Sequence, residues 1–488
     1  MKCQKAKKNS SNSVSLIFKY MKMNNTIENK SVQQAALIMV LLNAFTTPLM
    51  LSATNVALPR IAEDLNLDAV MLGWIPMAFL MASAMFVLVF GRVADMVGRK
   101  RIFLIGTASV IISSLLASMA TNGALLISAR FLQGVSAAML YATQIAIISS
   151  VFPPQQRGRA IGMTVSIIYL GLTCGPLLGG FLIDLYGWRA SFVFHIPLAI
   201  VVFLIGLFKV PGEWSADARG EFDIKGAVLY GLSILLLCIG VSTLPETSGF
   251  LLLILGLSGV WAFIKLEKRL DHPIFDVSLF VKNRVFAFSC FASFIIYTAV
   301  FANIVLISLY LQYLKGMSAT MAGAILMIQP LTMAIFSPFA GRLSDNIEPR
   351  VIASIGMALT AFGLLMLGLL NAHSSISFLI GALVVTGFGF SLFSSPNANA
   401  IMSAVEKQHY GSATGSLATM RILGQMMSMA LVTLVFAVVI GQVKIEPAVY
   451  QNLQQAINFC FFVSASLCIP GFIFSLVRGR MHQSVAIK

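Results

Sequence analysis

The sequence predicts an all-α polytopic membrane protein of fourteen transmembrane helices, laid out as two six-helix bundles with a two-helix hairpin between them. Three observations predict it. Of 488 residues, 58% are hydrophobic and 10% charged, with a mean hydropathy of +0.89; a soluble chain carries roughly a quarter charged residues. Apolar runs long enough to cross a bilayer, about 20 residues at 1.5 Å each, recur from end to end. The 33 Lys and Arg residues alternate with them, and with both termini placed in the cytoplasm 27 fall on the inner side. Four then lie outside (Arg60, Arg189, Lys315, Lys444) and two within runs (Arg130, Arg421). That asymmetry follows the positive-inside rule. The net charge of +15 therefore reflects topology and not a nucleic-acid surface.

In chain order, residues 1–32 are basic and polar, and their one apolar patch, Leu16 to Phe18, is too short for a signal-peptide core. They read as a cytoplasmic tail. The first bundle, 33–209, holds runs at 33–58, 69–90, 102–121, 124–150, 160–183 and 189–209. Residues 210–285 carry a hairpin, 226–244 and 249–266, between inner loops. The second bundle, 286–477, has runs at 286–313, 320–341, 350–370, 375–401, 413–440 and 454–477, and 478–488 form a second cytoplasmic tail. The chain also repeats itself: Gly91-Arg92-Val93-Ala94-Asp95 after the second run returns as Gly341-Arg342-Leu343-Ser344-Asp345 after the tenth. Two such halves facing one another place a binding site near mid-membrane. The six cysteines have no paired spacing and read as packed thiols.

Three stretches carry more specific chemistry. Gly91, Asp95 and Gly98 to Arg101 (Gly-Arg-Lys-Arg) follow the second run; the glycines suit a tight turn, and Asp95 can pair with an arginine or a helix N-terminus. In the fourth run Arg130-Phe131-Leu132-Gln133-Gly134 places a cation within an apolar helix, costing about 2.5–3.5 kcal/mol on insertion scales. It must face an internal partner or snorkel to the nearby outer boundary. In the fifth, Gly171, Gly175 and Gly179 share one face for close packing, with a kink at Pro176 and a further Gly180.

These stretches resemble, in order, the loop signature, the buried-arginine motif and the exporter motif of the major facilitator superfamily. With fourteen runs, the chain is similar to that family's drug:proton antiporter branch, the multidrug efflux proteins. Tyr310-Leu311-Gln312 through Ala322-Gly323, and Arg421 to Gly424, extend the resemblance over about residues 33–477. It implies a major facilitator fold, with Gly91, Asp95, Gly98, Arg99, Lys100, Arg101 and Asp345 as a conformational latch. It also implies Gly171, Gly175, Pro176, Gly179 and Gly180 as an exporter gate, and Arg130, His195 and Arg421 as coupling candidates.

Departures from the pattern matter as much. Before Asn55-Val56-Ala57-Leu58-Pro59 the branch carries an aspartate where this chain has Met50, and His195 stands where asparagine is usual. Asn346 to Pro349 replace the glycine and basic residues expected after Asp345. All 18 acidic residues fall in loops, tails or within about a turn of a run's end. The cavity is thus expected to be neutral to positive, lined from Asn43, Met50, Gln133, Tyr141, Gln144, Tyr169, Asn303, Gln329, Asn397 and Gln425. His195 reads either as a satisfied packing residue or as a proton carrier, the one such side chain titrating near neutral pH.

The expected function is secondary active transport, proton-coupled efflux of amphipathic small molecules by alternating access, in the cell (inner or plasma) membrane. No G-x-x-x-x-G-K-[ST] loop supplies ATP chemistry, and no nucleophile–base or metal-ligand cluster suggests an enzyme. An exporter or facilitator of an anionic metabolite or siderophore is the nearer rival. A non-transporting receptor is disfavoured by the short tails. The expected partners are a small-molecule substrate, protons and the lipid bilayer, for a monomer without cofactor, metal or nucleic acid.

Overall fold

The computed structural model describes residues 30–214, 222–270, 273–406 and 410–479. Fourteen helices there are long and apolar enough to span a membrane. They are α1 (Lys30–Asp64), α2 (Ala69–Val97), α3 (Arg99–Ser118), α4 (Gly123–Val151), α5 (Gln156–Tyr186), α6 (Ala190–Phe208), α7 (Ile224–Ser242), α8 (Thr247–Glu267), α9 (Arg284–Leu314), α10 (Ala319–Ser344), α11 (Pro349–Gly368), α12 (Ile376–Ser403), α13 (Tyr410–Val439) and α14 (Pro447–Val477). A spanning helix satisfies its own backbone where no water can, which is why the apolar runs became helices. Several run past the apolar segment: α1 begins at Lys30 and ends at Asp64, beyond the expected 33–58.

Caps and breaks follow the sequence. Asp68, Asn122, Ser318 and Ser375 each accept a backbone N–H from the first turn they precede. Within α6 the helix breaks at Phe194 and His195, because Pro197 has no N–H to return to Val193. α9 breaks at Phe301 and Ala302, where the Ala302 N–H donates to Ser428 Oγ at 3.1 Å. It then ends in a wider π-turn, Tyr310–Leu314. Gly98 makes the α2–α3 turn at φ +128°, a conformation open to glycine. Gly91, expected at that turn, lies inside α2 instead, with open space where a Cβ would stand.

α1–α6 pack together, as do α9–α14, and α7 of the hairpin lies against α2 and α13. The Tyr230 hydroxyl donates to Ala84 O at 2.9 Å, and Met77 Sδ accepts from both Ser242 and Thr433. The hairpin thus covers a seam between the bundles. α8 is mostly exposed, the position of a lipid-facing helix.

The bundles touch toward the membrane face opposite the chain ends, here the far face. Gln312 donates to Val56 O at 3.0 Å, and Tyr313 to Pro59 O at 3.3 Å. Ala69 N donates to Val443 O, and Lys444 to Asn66. At the other, terminal face a Cβ on Gly158, Gly162, Gly411 or Gly415 would meet nothing within 4 Å. The central space therefore faces the terminal side.

Candidate functional site

The first-bundle wall of that space is organised around Arg130. Its side chain is fully buried, so it points inward and does not snorkel. Nε donates to Ile75 O at 3.3 Å, one terminal nitrogen donates to Gln133 Oε1 at 2.7 Å, and the guanidinium lies 4.6 Å from the Phe79 ring centroid. That cation–π contact gains strength where water is excluded. The other terminal nitrogen has no protein partner.

Gln133 passes the network onward. Its Nε2 donates to Ser114 Oγ at 2.8 Å and lies 3.7 Å from Met50 Sδ. Ser114 Oγ is 3.1 Å from His195 Nε2. His195, fully buried at the break in α6, leaves Nδ1 without a partner. It lines a small cavity with Asn43, Thr46, Thr47, Met50 and Thr107. Asn43 donates to Gln144 Oε1 at 3.2 Å. Met50 thus sits buried beside Gln133, offering a soft thioether.

The second-bundle wall is aromatic and basic. The Arg421 guanidinium lies 5.5 Å from the Tyr297 ring centroid, and its Nε is unpartnered. Tyr297 packs edge-on against Phe390 at 5.3 Å. Across the gap, the Tyr169 hydroxyl meets Ser394 Oγ at 3.4 Å, joining the bundles at mid-membrane. Tyr141, Tyr169, Tyr297, Arg421 and Gln425 are half-buried, and Gln329 is 9% exposed. Asn303, just past the α9 break, is 2% exposed with both amide atoms unpartnered. Such a group costs about 1–3 kcal/mol when left unsatisfied. Asn397 is occupied elsewhere: it donates to Ser289 O and Ser293 Oγ and accepts from Arg478 at 2.6 Å.

The far face is closed by the glycine helix. A Cβ on Gly171 would approach Phe45 O at 2.5 Å, and one on Gly179 would approach Ala53 Cβ at 2.6 Å. Gly175 faces Ser52 and Leu49 O, so this face packs on α1. The next residues cross to the other bundle, with Gly180 against Ala319 O and Gly323 against Pro176 O. Above the crossing, the Asp184 carboxylate accepts from Ala319 N at 3.2 Å, Thr320 N at 2.8 Å and Thr320 Oγ1 at 2.6 Å. It therefore caps α10 from the opposite bundle.

At the terminal face, Asp95 pairs with Arg99 at 2.7 Å, and Arg99 also donates to Ala146 O and to Ser150 Oγ. Lys100 and Arg101 face the 210–214 segment, through Val210 O and Glu213. These bonds stay within the first bundle and that segment. The Asp345 side chain lies outside the described residues. Sequence reasoning missed Arg478, assigned to the tail: it is 1% exposed and donates to Ser289 Oγ and Asn397 Oδ1. It also passed over Ser114 and Tyr297, a small and an aromatic residue with no distinguishing local pattern. Of the cysteines described, four are buried and Cys174 is half-buried, all free; Cys3 lies outside the described residues.

A family model described as Major Facilitator Superfamily matches residues 40–266 and 289–486. The chain is 31% identical over 447 residues to the riboflavin transporter RibZ of Clostridioides difficile, covering 90% of this chain and 96% of that one. It is 30% identical to the multidrug resistance protein Stp of Mycobacterium tuberculosis, over 78% of this chain and 72% of that one. The human organic anion transporter MFSD10 has the same fold at a TM-score of 0.59 and 16% identity, covering 93% of this chain and 99% of that one.

Proposed function

This chain belongs to the Major Facilitator Superfamily, and on that premise we propose that it exports neutral or anionic amphipathic molecules in exchange for protons. The charge of the mid-membrane space carries this assignment. Arg421 borders it and Arg130 lies buried in the first bundle at a similar depth, while Asp64, Asp95, Asp184 and Glu267 sit at helix ends. A lipophilic cation would meet like charge in a medium that punishes unpaired ions. The similarity to a riboflavin transporter supports a neutral, planar, hydroxyl-bearing substrate. Tyr169 and Tyr297, the latter backed by Phe390, could stack its rings, while Gln425 could bond its polar edge.

The terminal face is assigned to the cytoplasm by the surplus of Lys and Arg there. The conformation is then inward-facing, with Asp184, Gly180 and Gly323 sealing the outside. Export requires the bundles to rock, parting α5 from α10 and closing the terminal ends over the Asp95 cluster. Arg421 is the charged group that can sense cargo directly, and Arg130 can respond only through its network with Gln133, Ser114 and His195.

Reconstitution in proteoliposomes with an imposed pH gradient tests the assignment. Riboflavin is expected to accumulate against its gradient, and ethidium is not. Comparable or faster ethidium transport would overturn it. A facilitator of an anionic metabolite is the second reading, favoured by the unpartnered Arg421 Nε. It would show riboflavin or anion flux that ignores the pH gradient.

A further inference from the structure

In the second bundle the Arg421 guanidinium lies by the Tyr297 ring and Arg478 is bonded to Ser289 and Asn397; in the first, the buried imidazole of His195 can do more than pack. We propose that His195 carries the exchanged proton, and that Arg130, joined to it through Ser114 and Gln133, converts the proton's charge into a change of conformation. The assignment rests on proton exchange as the energy source.

Three features of the geometry support it. His195 is buried, lines an internal cavity and has no partner at Nδ1; in the tautomer whose Nε2–H donates to Ser114 Oγ, the Nδ1 lone pair can take a proton without breaking a bond. Nε2 is tied at 3.1 Å to Ser114, then at 2.8 Å to Gln133 and at 2.7 Å to Arg130. No other described side chain facing this shell offers a carboxylate to offset the charge. α1 presents Asn43, Thr47 and Met50, and α3 presents Thr107 and Ser114. α4 presents Arg130 through Gln133, with the Tyr141 phenol nearby as the other titratable group. At the outer end of α6, Arg189 is paired with Asp64 at 2.7 Å, and Asp184 on α5 is engaged with α10.

A proton on His195 creates a second cation in the shell that encloses Arg130, at the positive N-terminal end of the helix Ile196–Phe208. Arg130 cannot shed its own charge. The inward-facing packing therefore excludes imidazolium, and loading must accompany its opening. Hydronium from outside forms the N–H bond at Nδ1 and leaves water. Return to the inward-facing packing breaks that bond and passes the proton to cytoplasmic water. Ser114 and Gln133 do not carry the proton; they transmit the strain between the two charges.

The test needs no substrate. Spin labels are placed by Gly158→Cys and Gly415→Cys, at open positions on opposite bundles near the terminal face, after the six native cysteines are replaced. Distances are measured in nanodiscs from pH 8 to pH 5, the range in which histidine ordinarily titrates. The terminal ends are expected to close as pH falls. His195→Gln should abolish the response, and Ser114→Ala, which keeps the imidazole but cuts its link to Gln133, should displace the midpoint. A flat response in the parent, or an undiminished one in His195→Gln, overturns the assignment. If His195→Gln is not recovered folded, an unchanged midpoint in Ser114→Ala overturns it. Failure of the parent to move riboflavin, with the pH response intact, would strike the transport proposal alone. Uphill riboflavin accumulation by His195→Gln would strike His195 alone.

Discussion

Removing the Asp184 carboxylate should open the far face. It is held by three donors from α10, at 3.2, 2.8 and 2.6 Å, all from the opposite bundle. A side-chain cap at a helix N-terminus is worth about 0.5–2 kcal/mol, and a charge at a helix's positive end adds about 0.3–1 kcal/mol near a surface. Asp184 is only partly buried, so roughly 1–2 kcal/mol is a fair total for the contact. The bond exists only while the far face is closed, so Asp184→Ala should lower the closed population relative to the open one by about 5–30-fold. Asp184→Asn keeps one acceptor oxygen and loses the charge, and should fall between. Labels introduced by Leu125→Cys on α4 and Leu369→Cys just past α11, both exposed near the far face, would report the distance by pulsed EPR. A parental distance distribution in Asp184→Ala would refute the latch. So would a lowered unfolding temperature with no change in distance, because the carboxylate would then serve only the fold.

Three further outcomes follow from the packing. Gly180→Val or Gly323→Val puts a branched side chain where backbone carbonyls of the other bundle lie, and should shift the same far-face labels apart by a larger factor than Asp184→Ala. Arg478→Ala leaves Asn397 Oδ1 and Ser289 Oγ without their cation. A charged hydrogen bond is worth about 1.5–3 kcal/mol, partly offset by the cation's own burial cost, so thermal unfolding in detergent should occur at a lower temperature, with transport specificity retained. Gly98→Ala places a Cβ at φ +128° against Glu213. It should destabilise by about 1–2 kcal/mol, and an unchanged unfolding midpoint would contradict the strained turn.

Much of the fold is written locally. Mean hydropathy, the run lengths and the alternation of basic loops predict the fourteen spans, because in lipid each segment must satisfy its own backbone. Gly171, Gly175 and Gly179 likewise foretell a close-packed face, whereas the break ahead of Pro197 was not among the expectations. The glycines' partner α1 was not legible, nor was the use of Gly180 and Gly323 across the bundles. Asn397 shows the limit from the other side: its polarity in an apolar helix suggested the cavity, and Arg478, 81 residues away, holds it instead.

The sequence by itself determined how many helices cross the membrane and that its acidic residues stay near their ends. Tertiary structure alone decided which face is sealed, that Asp184 caps a helix 135 residues further on, and that Arg130 and His195 share one network. The physical reason is range. Burial, helix formation and breakage follow from a residue and its near neighbours, whereas a partner brought from a distant segment leaves no mark on the local pattern.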